Sequence, residues 1–87
     1  MTRSKRYYAV QVTWHDAFTV DKWRPTEEHV DVGKSPCVCV SVGWLLYQDK
    51  DIVVIGQSLS AGGTRVGESL TVPRGMVKQL RYLHGGK

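Results

Sequence analysis

The sequence predicts a small all-β domain whose single antiparallel sheet is closed into a barrel or strongly curled, with a long first loop. Three observations predict it. The stretch from Pro36 to Leu59 reads as two strands folded back on each other across Gln48-Asp49-Lys50-Asp51. Before that turn, Val38, Val40, Val42, Trp44 and Leu46 fall on every second residue, the period that puts side chains on one face of a strand. After it, Ile52 to Ile55 is an unbroken apolar run, as expected of a strand covered on both sides.

Each element can be justified in order. Tyr8, Val10, Val12 and Trp14 alternate with Tyr7, Ala9, Gln11 and Thr13, which makes Tyr7 to Trp14 a half-buried first strand. From His15 to Ser35 the alternation breaks and Asp, Thr, Pro and Gly become frequent. This long connection is expected to carry one helical turn near Thr26-Glu27-Glu28, with Thr26 as the cap and the acids at the helix start. Phe18 and Trp23 predict that it folds down onto the sheet. After the central hairpin, Ser60 to Thr64 is a flexible turn and Ser69 to Val72 a short fourth strand. Pro73-Arg74-Gly75 interrupts the ladder, because proline has no N–H to donate. In Met76 to Leu83, Met76, Val77, Leu80 and Leu83 suit a helix face, while Val77, Gln79, Arg81 and Leu83 alternate only weakly; a strand is nevertheless preferred, because five strands can close a barrel and four leave edges exposed. The expected core is Val10, Val12, Val40, Val42, Trp44, Leu46, Val53, Ile55 and Leu70.

The 87 residues make one domain, taken as 7–83, between a disordered basic segment at 1–6 and a frayed end at 84–87. A chain this short has little volume for a deep cleft, so an enzyme is the least expected class and no catalytic residue is assigned. The net charge of +4 gathers at both ends, while Asp16 to Asp31 is acidic. No apolar run follows the basic start and none approaches a membrane span, which predicts a cytoplasmic protein without membrane contact. Cys37 and Cys39 lie two apart, on one face of a strand, and read as reduced thiols.

Leu70-Thr71-Val72-Pro73-Arg74-Gly75-Met76-Val77 resembles the segment before the last strand of SH3-like barrels, which implies a 3-10 turn there. Gly43 to Asp49 is similar to a strand and turn of Sm-like barrels. The acidic-aromatic motif of peptide-binding SH3 domains and the Arg-Gly pair of Sm proteins are absent, so neither ligand is carried over. Val12-Thr13-Trp14-His15-Asp16-Ala17, Ser41-Val42-Gly43-Trp44-Leu45, Asp49-Lys50-Asp51 and Pro73-Arg74-Gly75-Met76-Val77 together resemble short uncharacterised proteins of bacteriophages and prophages. That resemblance implies a host bacterial cytosol and an accessory role.

The residues themselves offer little chemistry. His15-Asp16 has no Gly-x-Ser-x-Gly nucleophile to serve. His15, Glu27, Glu28 and His29 lack the spacing at which a helix shares a metal, so no metal or cofactor is expected. Gly62-Gly63-Thr64-Arg65 lacks the Lys-Ser/Thr of a phosphate loop. Indole is the better candidate, because aromatic side chains beside a charged loop suit a protein interface. The leading expectation is therefore a non-enzymatic module that binds a host or phage protein through Trp14, Asp16, Phe18 and Trp23. A nucleotide sponge using Arg65, Arg74 and Lys78 at a subunit interface is the alternative, and single-stranded nucleic-acid binding a third.

Overall fold

The computed structural model describes residues 6–19 and 22–83. Apart from Arg6, the segments expected to be disordered or frayed at the two ends lie outside that range. The elements are β1 (Ala9–Asp16), α1 (Thr26–Gly33), β2 (Cys37–Gln48), β3 (Ile52–Leu59), β4 (Val66–Pro73), a 3-10 turn (Arg74–Met76) and β5 (Val77–Tyr82).

The all-β class is as expected. Five strands form one antiparallel sheet in the order β4-β3-β2-β1-β5. The chain meanders through β1 and β2 to β4, and the 3-10 turn then carries it back so that β5 lies against β1. The ambiguous final segment is a strand, with Val12 opposite Leu80 and Val10 opposite Tyr82. Among the described residues the ladder ends at β4 on one side and β5 on the other.

The core is small. Val10, Val12, Val53 and Ile55 cluster with Trp14, Leu45, Leu70, Val77 and Leu80 packed against them, and Val72 is buried as well. Cross-strand register explains the grouping: Val53 faces Val72 and Ile55 faces Leu70 across β3 and β4.

The period-two pattern of β2 is real, but the face is the opposite of the one expected. Val10 pairs with Gly43, Val12 with Ser41 and Trp14 with Cys39. Directly opposed residues share a face, so β2 turns Cys39, Ser41, Gly43 and Leu45 inward. Val40 and Val42, each 59 % exposed, and Trp44, 38 % exposed, lie outside with Val38. Leu46 is half-buried beside the bulge that follows Leu45, close to Gly56. Hydrophobicity alone selected the larger side chains; the partner strand selected the smaller ones.

Two glycines show why. A Cβ at Gly43 would sit 2.7 Å from the Gly56 carbonyl oxygen, where β2, still paired with β1, also begins to pair with β3. A Cβ at Gly56 would meet Leu46 at 3.0 Å and Val66 at 3.1 Å. Only residues without side chains allow the two backbones this approach. Before that crossing, β2 has no β3 partner, because their ladder runs only from Trp44 to Gln48.

Candidate protein-binding site

The connection after β1 carries the most exposed aromatic side chain. Pro25 starts α1 with φ −56° and ψ 146°, and no side chain caps the helix, so the cap is Pro25 rather than Thr26. Glu27 and Glu28 do fall in the first turn, as expected from the positive helix start. The helix runs two turns, to Gly33, where Lys34 donates its N–H to the Val30 carbonyl at 3.0 Å.

None of its residues is buried. Val30 and Val32 are two apart, roughly 200° around a helix, so they cannot form one apolar face. Eight residues are also fewer than the roughly 12–15 that hold an isolated helix in water. Val32 joins Phe18, Ser35, Pro36 and Cys37 around an open, largely apolar depression of about 340 Å³. Val32 and Pro36 were not singled out in the sequence; a lone valine among acids beside a proline gives no periodic signal.

The four residues expected to bind protein divide in two. Trp23 is fully exposed and Phe18 is 44 % exposed, so these two side chains are not folded down into the core as expected. Asp16 is exposed at the end of β1, opposite Cys37. Trp14 instead packs against the core and donates its indole N–H to Ser41 Oγ at 3.0 Å. Cys37 and Cys39 are free and half-buried; desolvation, then the neighbouring Cys37, pushes the Cys39 thiol up and keeps it protonated.

The cations lie elsewhere. Arg65 is exposed at the β3–β4 turn, donating its backbone N–H to Ser60 Oγ at 3.1 Å. Arg74 sits at the other end of the same ladder, where Ile52 faces Pro73. Seven strand steps of about 3.3 Å separate those ends, so within one chain the two guanidinium groups do not reach one phosphate. Lys78 is exposed on β5. Among the described residues no three His, Cys, Asp or Glu side chains converge as metal ligands.

Arg74 belongs to a network the sequence did not reveal. Its Nε donates to the Asp49 carbonyl at 2.9 Å and its Nη2 to Gln48 Oε1. Asp49 Oδ1 accepts the N–H groups of Asp51 and Ile52 at 2.8 and 2.9 Å, and Tyr47 donates its hydroxyl to Oδ2 at 2.8 Å. Gln48 Nε2 donates to the Tyr82 hydroxyl at 3.1 Å, and Tyr8 stacks edge-on against Tyr82 at 5.7 Å. The two backbone N–H bonds and the phenol hold the Asp49 carboxyl below the usual range, while that bond to Asp49 pushes the Tyr47 phenol up. This end of the sheet is closed on itself.

Comparison with protein-family models, with curated proteins and with solved structures finds no match.

Proposed function

We propose that the protein is a non-enzymatic binding module, a small SH3-like barrel that holds a partner protein through the segment between β1 and β2. The single observation that carries this reading is Trp23, fully exposed on a connection whose helix buries nothing. Interface energy concentrates in aromatic anchors, and an unburied indole has its whole surface to contribute. Phe18 and the Val32–Pro36 depression supply a second anchor point. Exposed Asp16, Glu27, Glu28 and Asp31 outnumber exposed Lys22, Arg24 and Lys34 on the same segment, so a partner with a basic rim fits better than an acidic one. Strand order and the 3-10 turn before β5 support the SH3-like reading. The phage context rests on the residue pattern alone.

Affinity capture from a host lysate, followed by titration of the purified partner, tests the proposal. Trp23→Ala is expected to weaken the complex by roughly 2–4 kcal/mol while leaving the circular dichroism spectrum unchanged. A partner held equally well by Trp23→Ala and Phe18→Ala would contradict it.

A further inference from the structure

A different part of the molecule also lacks a partner. The amide of Leu45 donates to the Tyr8 carbonyl at 2.7 Å, and Tyr8 continues the β1 register, in which Ala9 faces Trp44. Strand backbones alternate sides, so Gly43, Ser41 and Cys39 bond toward β1 while Val42, Val40 and Val38 direct N–H and C=O groups away from it. On that side no strand pairs with them among the described residues, because β3 joins β2 only from Trp44 onward. The side chains of these same three valines are exposed. Backbone and side chains of one short segment are thus both uncovered.

The other two open edges are protected. β5 carries Lys78 and Arg81, and β4 carries Glu68, held at φ 75°, and ends in Pro73. Charge, local distortion and proline are the devices that keep edge strands from pairing. Cys37 to Gly43 has none of them: Cys-Val-Cys-Val-Ser-Val-Gly is neutral and contains no proline.

We infer that this edge binds a second copy of the chain, β2 against β2, antiparallel about a two-fold axis at Val40. The segment matches itself in that register. Val38 meets Val42 of the other copy on the outer face, Val40 meets Val40, and on the inner face small Cys39 meets small Ser41. No like charges are opposed. The pairing also covers part of an apolar surplus: among the described residues twelve large hydrophobic side chains are exposed against five buried, and Val38, Val40 and Val42 are three of the twelve. Val38, Val40, Val42 and Trp44 form a run of exposed apolar side chains along one strand, narrow for a contact surface. It falls short of the roughly 800 Å² per partner of a stable interface, so the dimer is weak and concentration-dependent. The open cleft of about 620 Å³ between Val40–Val42 and Gln57, Glu68 and Ser69 leaves room for the incoming strand.

Sedimentation of the full chain through a dilution series tests this with a charge swap at the axis. The wild type is expected to pass from monomer to dimer as concentration rises. Val40→Lys and Val40→Glu, both on an exposed face, are each expected to stay folded and monomeric, and an equimolar mixture to restore the dimer. Restoration is specific to residue 40 meeting itself, which misfolding of either variant could not mimic. A wild type that stays monomeric throughout overturns the inference, whether the edge is then vacant or taken by another protein's strand. A dimer that survives both substitutions overturns it too. Neither result bears on Trp23, which lies on the connection.

Discussion

The two ends of the sheet are built on opposite terms. Around the β2–β3 turn, Tyr47, Gln48, Asp49, Arg74 and Tyr82 satisfy one another, and Asp49 alone takes two backbone N–H groups and a phenol. On the connection before β2 Trp23 lies in solvent, Phe18 is partly exposed beside Pro36 and Cys37, and among the described residues no strand pairs with the side of Val38 to Val42 that faces away from β1. The tied end needs nothing from outside. The other end is left open, and in the proposed reading a partner completes it.

The widest gap is expected between an isoleucine and a valine, both β-branched, at different depths. Ile55→Ala empties a buried site and is expected to cost about 2–5 kcal/mol in urea unfolding. Val42→Ala, on the outer face, is expected to change the dilute protein by no more than about 0.5 kcal/mol. Equal losses at the two positions would mean that the outer face is a second core.

Untying the closed end comes next. Arg74→Ala removes the side chain that joins the β2–β3 turn to the 3-10 turn, at an expected cost of about 1–2 kcal/mol, whereas Arg65→Ala is expected to be silent in the same denaturation series. If both are silent, the network is surface decoration.

Acid loosens the same end by a smaller amount. A carboxyl whose folded pKa is depressed stabilises fully above its unfolded value of about 4 and ceases to do so as pH falls through the folded one. Asp49→Asn keeps an acceptor oxygen for the turn but no charge. The stability gap between wild type and Asp49→Asn is therefore expected to narrow as pH drops below the ordinary carboxylate range. A gap that stays constant with pH would remove charge from the explanation.

The smallest expected effect is none. Trp23→Ala is expected to leave the melting of the free protein unchanged, because a fully exposed indole has no packing to lose. A measurable loss would place Trp23 in the fold and weaken its role as an anchor.

Much of the fold was legible because β-structure writes itself as period two. Val10, Val12, Val53 and Ile55 were identified as core, and the strands and turns fell close to their expected places. The face of β2 was not legible. Alternation shows that side chains divide between two faces, but the register with β1 decides which face is covered, and register is a long-range property. The Arg74 network was hidden for the same reason, since it joins residues 25 and 26 positions apart. At the candidate site, the aromatic residues were legible by type while their exposure was not: Trp14 is tied to Ser41, and Trp23 touches solvent.

Residue-resolved amide hydrogen exchange at several concentrations tests the contrast between the two ends most directly. The amides of Cys39, Ser41 and Gly43, bonded toward β1, and of Ile52, held by Asp49, are expected to be protected at every dilution. Those of Val38, Val40 and Val42 are expected to exchange freely in dilute samples and to gain protection as concentration rises. Protection of all three in the most dilute sample would show that the chain already covers its own edge, and the division into a tied end and an open end would be wrong.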